Sequence, residues 1–215
     1  MEIYYLGHAC FKLKGKTSSI IIDPFNTETG LKLPKDMQAD ACLITHNHSD
    51  HNNQAAVTGS PVVLNGPGEY EVKGVAVTGI ASYHDNVAGA ERGANTIYNI
   101  YIDGLNIVHL GDLGQDALTE AQESEIGITD ILLIPVGGTY TITAKQASSI
   151  VAQLEPRIII PMHYGVEGLK YPLEGVASFL KEMGVESLEP VSKLSITKDK
   201  LPDEPQVVVL SKING

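Results

Sequence analysis

The run Thr45-His46-Asn47-His48-Ser49-Asp50-His51 places three histidines and one aspartate within six positions. Imidazole nitrogens and carboxylate oxygens are the ligands that zinc and similar cations take. The run follows an apolar strand-like segment, so His46 and His48 project to the same side of an extended backbone. Asp50 and His51 then turn away and can reach a second cation. Four ligands in one loop are too many for one metal that keeps an open coordination position. They suggest half of a two-metal site.

The other half must come from elsewhere in the chain. Asp23, His84, Asp112 and His163 each follow an apolar, strand-like run, near the carboxyl end where sheet-based folds build ligand sites. Five of the seven histidines (46, 48, 51, 84 and 163) occupy such ends. Taken alone, His84 and His163 read as satisfied polar residues and Asp112 as a turn residue after Gly111. The 46–51 cluster reverses that reading, because it needs distant partners. His109 lies inside a strand pattern and reads as a buried, hydrogen-bonded residue supporting the fold or the site. His8 sits between two strands, either supporting the site or forming a plain turn.

The elements that would position these groups are mainly strands. Residues 2–6, 9–13, 19–22, 41–45, 61–64, 74–82, 97–102, 105–110, 131–136, 157–161 and 206–210 are rich in Ile and Val and bounded by turn residues. Helical patterns cover 118–126, 143–154 and 171–183, with Thr143 and Gln146 spaced as a capping box and Gly184 as a stop. A short helix is expected just after His51. Strands come first, then strands alternating with helices, which predicts sheets covered by helices. No linker interrupts the 215 residues, so one domain over 1–215 is expected.

Composition narrows the function. Fifteen basic and 26 acidic residues give a net charge of −11, and Arg occurs only at 92 and 157. Nucleic acid and anionic membrane surfaces are therefore not expected partners. No apolar run reaches the ~18 residues of a membrane span. Nothing resembles a secretory signal, so a cytoplasmic location is expected. Cys10 and Cys42 read as small core residues.

The whole pattern resembles the metallo-β-lactamase superfamily. That family carries an Asp after an early strand, then His-x-His-x-Asp-His, a lone His, a Gly-Asp and a last His. Asp23, the 46–51 run, His84, Gly111-Asp112 and His163 match in that order. Leu6-Gly7-His8-Ala9, Ile22-Asp23-Pro24, Pro135-Val136-Gly137-Gly138 and Pro161-Met162-His163-Tyr164 are similar to a compact branch. That branch includes sugar-lactone hydrolases and the phospholipase D acting on N-acyl-phosphatidylethanolamine. Gly66-Pro67-Gly68-Glu69-Tyr70 resembles small zinc-dependent hydrolases of bacteria and archaea.

The resemblance implies an α/β (α+β) fold, a four-layer αββα sandwich. It implies two divalent metal ions, zinc foremost, with manganese, iron and nickel as alternatives. His46, His48 and His84 would hold one ion. Asp50, His51 and His163 would hold the other. Asp112 would bridge them, and Asp23 would steady the ligand loop from behind. Association into a homo-oligomer is compatible with the branch. Three features limit the transfer. Tyr83-His84-Asp85 departs from the Gly-His-Thr form of many relatives. The stretch 112–163 has no room for the insertion of nuclease relatives. His48 stands where diiron oxidoreductases place Glu.

The reaction expected is hydrolysis of an ester, lactone or phosphodiester bond of a small molecule by a metal-bridging hydroxide. Asp50 would shuttle a proton, and His8, Tyr164 and Tyr140 are candidate acids. Arg92, in a Gly- and Ala-rich loop, would clamp an anionic substrate group, unless it is a surface residue paired with Glu91 or Asp85. Tyr140 belongs to a loop after a strand whose backbone N–H groups either face the pocket or form an ordinary turn. The competing readings are an iron-binding redox protein and a metal-retaining domain that binds without turnover.

Overall fold

A computed structural model describes residues 1–213 and sorts the strand-forming runs into two sheets. The first sheet contains β1 (Glu2–Gly7), β2 (Cys10–Lys14), β3 (Ser19–Ile22), β4 (Ala41–Ile44), β5 (Val62–Asn65) and β12 (Leu194–Ser195), in the order β12-β1-β2-β3-β4-β5. The second contains β6 (Gly68–Val72), β7 (Val75–Tyr83), β8 (Ala94–Ile102), β9 (Leu105–His109), β10 (Ile131–Pro135), β11 (Ile158–Met162) and β13 (Gln206–Val207). Their order is β13-β11-β10-β9-β8-β7-β6.

Each sheet has an antiparallel half and a parallel half. Strands β3, β4 and β5 run parallel, as do β9, β10, β11 and β13. The central parallel strands Ala41–Ile44, Ile131–Pro135 and Ile158–Met162 are buried along their whole length. Strands covered on both faces read as unbroken apolar runs, which is why these segments do not alternate. Asp23, Thr45-His46 and His163 emerge directly from the carboxyl ends of β3, β4 and β11, and Asp112 follows β9 by three residues.

The sheets face each other across the main core, in which Ile3, Tyr5, Phe11, Ile20 and Leu43 join Tyr98, Ile100, Ile107 and Leu133. Burying a side chain of this size contributes about 1.5–3 kcal/mol. The helices α1 (Glu120–Ile126), α2 (Ala144–Leu154) and α3 (Ala177–Glu182) lie with the second sheet: α1 packs on β7, and α2 on β10 and α3. Thr119 and Thr143 close true capping boxes with Gln122 and Gln146. The layer over the first sheet is thinner. Phe25, Leu31, Met37, Ala39 and Val57, from irregular segments and 3₁₀ turns, cover Leu6, Cys10, Ile21, Cys42 and Ile44. Both cysteines are thus free and buried.

Besides the short edge strand Leu194–Ser195, which the sequence did not announce, three elements differ from the sequence expectation. The third helix begins at Ala177 rather than 171, because Pro172 biases Tyr171 away from the helical region and Gly175 follows. After His51 the chain makes a 3₁₀ turn at Gln54–Ala56. Edge strand β6 is mostly exposed, so its Gly-Glu-Tyr-Glu-Val lacked the apolar signature of a strand. No helix among the described residues is long and apolar enough to cross a membrane.

Candidate metal centre

At the carboxyl ends of the parallel strands, the seven ligand-type residues converge from both sheets. Ring nitrogens of His46, His48 and His84 form one group. Asp50, His51 and His163 form a second, which His8 adjoins. Asp112 stands between them: its Oδ2 lies 3.2 Å from His84 Nε2, 3.1 Å from His163 Nε2 and 3.3 Å from His51 Nε2. His48 is exposed, Asp50 is partly exposed, and the other five are buried.

Asp23 organises two of these histidines from below. It has no exposed surface, and its Oδ1 accepts the Thr45 N–H at 2.8 Å. Its Oδ2 accepts the Thr45 hydroxyl at 2.7 Å and His51 Nδ1–H at 2.9 Å. Because the Thr45 hydroxyl donates to the carboxylate, it must accept from His46 Nδ1–H, 3.0 Å away. Nδ1 of both rings is thereby held as a donor, with Nε2 turned inward, His51 Nε2 onto Asp112. The His46 and His51 Nε2 atoms and Asp112 Oδ1 are buried with no hydrogen-bond partner among the described residues. Buried polar atoms are rarely left unpaired. Imidazoles with one nitrogen held by a carboxylate relay and the other bare match the donor pattern of a metal site. The residues present therefore fit divalent cations.

The charge balance agrees. Burial pushes His46 down to about 3 and His8 to about 4, so both are neutral at physiological pH. Burial alone would raise Asp112, but the neighbouring His163 and His51 outweigh it and hold the carboxyl well below its usual range. Burial likewise opposes charge on His51, yet Asp112 and Asp23 prevail and raise it well above an ordinary histidine.

Second-sheet residues fix Asp112. Asn95 Oδ1 accepts the Asp112 N–H at 3.0 Å while Asn95 Nδ2 donates to the Leu110 carbonyl and Ser82. A Cβ at Gly111, whose φ is +57°, would lie 2.3 Å from Asn95 Oδ1, so only glycine fits before Asp112. His109 is a cross-strut: its Nε2 bonds the Ala9 carbonyl of the first sheet at 2.9 Å and its Nδ1 accepts the Gly111 N–H at 3.0 Å. His8, Asp23 and His163 all have left-handed backbones, with φ of +57°, +47° and +50°. Such conformations in non-glycine residues cost about 1–3 kcal/mol each and concentrate at functional sites.

A cavity of about 230 Å³ opens over this centre, lined by His48, Asp50, His84, Glu91, Arg92, Asp112, Tyr140, His163 and Tyr171. Arg92 and Tyr140 meet there, the guanidinium 5.6 Å from the ring centre. Among the described residues that guanidinium has no hydrogen bond or ion pair, so Arg92 is not neutralised by Glu91 or Asp85. In the Tyr140 loop, Gly137 N–H goes to the His163 carbonyl, and the Tyr140 and Thr141 N–H groups close a turn on the Gly138 carbonyl. Of the candidate acids, Tyr140 alone lines the cavity. Tyr164 is stacked on Tyr5 in the core, where burial raises its hydroxyl to about 12. His8 lies beneath the cavity, its Nε2 3.0 Å from Asp50 Oδ2 and its ring 4.2 Å from that of His163.

Sequence reasoning missed Tyr171, Glu91 and Asn95. Tyr171 reaches the cavity because residues 171–176, expected to begin a helix, instead continue an irregular strap from Tyr164. Thr139 donates to the Pro172 carbonyl and Glu174 N–H to the Gly137 carbonyl, which brings the Tyr140 and Tyr171 rings within 6.2 Å. Pro172 was the available signal.

Comparison with known proteins agrees with this geometry. Residues 2–163 match the β-lactamase superfamily domain. A UPF0173 metal-dependent hydrolase of Thermococcus onnurineus is 33% identical over 190 residues, covering 76% of this chain and 84% of the relative. A crystal structure from Thermotoga maritima, described as a candidate Zn-dependent hydrolase of the metallo-β-lactamase superfamily, superposes with a TM-score of 0.80 at 38% identity, covering 97% of each chain. CmlA, a diiron β-hydroxylase from Streptomyces venezuelae, shares the fold at a TM-score of 0.63 and 13% identity, over 91% of this chain and 54% of CmlA. With the ligand pattern, the two-sheet frame and these relatives in agreement, the chain belongs to the metallo-β-lactamase superfamily, among its metal-dependent hydrolases.

Proposed function

We propose that this hydrolase uses two divalent cations, zinc foremost, to cleave an ester, lactone or phosphodiester bond of a small anionic substrate. His46, His48 and His84 would hold one cation and Asp50, His51 and His163 the other, with Asp112 within reach of both. The observation that carries the reading is the buried, unpartnered His46 Nε2 beside a His51 Nε2 turned onto Asp112, with both rings fixed from behind by one carboxylate. Two such cations supply a water made acidic enough to ionise near neutral pH and polarise the substrate oxygen.

The remaining tasks fall to the chain. Arg92, unpaired at the cavity wall, takes an anionic group of the substrate, and the Tyr140 and Tyr171 rings bracket the space beside it. Asp50 relays a proton as an ionised carboxylate: burial would raise it, but His8 Nε2–H donating to Oδ2 and the neighbouring His51 hold it well below the usual range. The Tyr140 hydroxyl, at the cavity wall, is the donor for a leaving oxygen. A cavity of about 230 Å³ suits a small molecule rather than a polymer.

Elemental analysis of the purified protein tests the reading. About two zinc or manganese ions per chain, with hydrolysis of aryl esters, lactones or bis-p-nitrophenyl phosphate lost on chelation, is the expected result. Two irons with visible absorption would replace it with redox chemistry, and metal without any turnover would leave a binding domain.

A further inference from the structure

Directly after His84, the loop 85–93 closes on the side chain of its own first residue. Asp85 is buried, and both of its carboxylate oxygens are taken up by N–H groups of its own loop. Oδ1 accepts the N–H groups of Val87 at 3.0 Å and Gly89 at 2.7 Å. Oδ2 accepts those of Glu91 at 2.9 Å and Arg92 at 2.8 Å. Successive backbone N–H groups around an anion make a nest, here filled by the chain's own carboxylate. The ring is sealed by His84 N–H to the Gly93 carbonyl and Gly93 N–H to the Gly89 carbonyl, both 3.0 Å. Ala88 and Gly89 sit at φ of +56° and +81° to complete it. One oxygen thus grips the two residues, Glu91 and Arg92, that carry the loop's charge to the cavity wall. On the other side, Gly114 lies against the His84 backbone so closely that a Cβ there would be 2.4 Å from it.

We infer that Asp85 is a positioning residue for substrate selection: it sets the Arg92 guanidinium over the cavity at a fixed distance from His84, and so couples anion recognition to the metal centre. Arg92 on a loop free to swing would spend binding energy on ordering itself, whereas a pre-set loop does not. The inference rests on Arg92 facing the substrate, and its first readouts need no turnover.

The test uses the metal-loaded protein and two variants. Asp85→Asn keeps the volume but replaces one acceptor oxygen with an NH₂ group that faces backbone donors. Gly89→Ala strains the same loop without touching the carboxylate, because its Cβ at φ +81° would meet Gly93 O at 3.1 Å. In both variants, amide hydrogen exchange across 86–92 should rise at least about tenfold, with residues 41–48 and metal content unchanged. Phenylglyoxal labelling of Arg92 should rise relative to Arg157, the only other arginine. With any hydrolysable anionic ester, KM should rise about tenfold while kcat holds, and a neutral ester should show no change. Unchanged exchange and labelling would overturn the inference. So would loss of bound metal in Asp85→Asn, since Asp85 would then be a brace for His84 alone. Absence of hydrolysis in the wild type, with exchange and labelling shifted as expected, would count against the proposed reaction and leave the loop's role standing.

Discussion

The floor and the wall of the cavity are built on different principles. The floor is assembled from strand ends: His46, Asp112 and His163 leave buried parallel strands or their short extensions, Asp23 pins the 45–51 loop by bonds to Thr45 and the His51 ring, and Asn95 pins Asp112. The wall is assembled from loops that hold themselves: the Asp85 ring carries Arg92, and the Thr139–Pro172 bond carries Tyr140 and Tyr171. A reaction centre needs ligands fixed to within tenths of an ångström, which strands supply. Substrate choice changes most readily where the frame is least involved, which is why binding residues gather on loops. The comparison teaches that damage to the floor should remove chemistry, while damage to the wall should alter preference.

The sharpest break is Asp112→Ala. Losing the carboxylate between the two histidine groups should lower turnover by more than the about 10–100-fold that supporting residues cost, and should reduce metal per chain. Near-normal turnover with less metal would end the distinction between floor and wall. His48→Ala should behave similarly.

Next in size is Asp23→Asn, which leaves the ligands in place but disturbs both ring tautomers. Metal affinity should fall about 10–100-fold, read by competition with a chelator. A smaller change in the Arg92→Ala variant is expected to fall on KM for anionic substrates, about tenfold, with metal content intact. An equal loss for a neutral ester would mean that Arg92 belongs to the floor.

Acidity provides a graded test. In the metal-free chain, burial opposes charge on His51, but Asp112 and Asp23 outweigh it and make the ring hold its proton more tightly than an ordinary histidine. A ligating nitrogen must give up that proton, so low pH favours the metal-free form and affinity should rise with pH, about tenfold per unit for one proton released. Calorimetry in buffers of different ionisation enthalpy measures the proton count, and zero release at pH 7 would contradict the charge state. The smallest effect expected is that of Tyr164→Phe. Removing its hydroxyl should leave turnover unchanged and stability within about 0.5 kcal/mol, since the ring packs in the core.

The same contrast explains what could be read from sequence. The floor announced itself through residue type and spacing, since three histidines and an aspartate in one short stretch have few other uses, and the strand ends marked their partners. The parallel core strands were legible because burial on both faces demands unbroken apolar runs. The wall was harder. Tyr171 was hidden in a helical pattern that Pro172 and Gly175 interrupt, and Asp85 looked like an ordinary loop residue because its partners are backbone N–H groups, which carry no sequence signal. Asn95 was invisible for the same reason, as it works through the amide of Asp112. Left-handed backbones at His8, Asp23 and His163 follow from tertiary packing and could not be anticipated.

The ligands divide between the sheets: His46, His48, Asp50 and His51 belong to the first, and His84, Asp112 and His163 to the second. Cations bound there would act as rivets across the sandwich, tied only to its folded form. Ligand present at a thousand times its dissociation constant stabilises a native state by about 4 kcal/mol. Chelation should accordingly lower the melting temperature and open this end of the sandwich first, while the opposite end, closed by Ile102 and Leu105, unzips last.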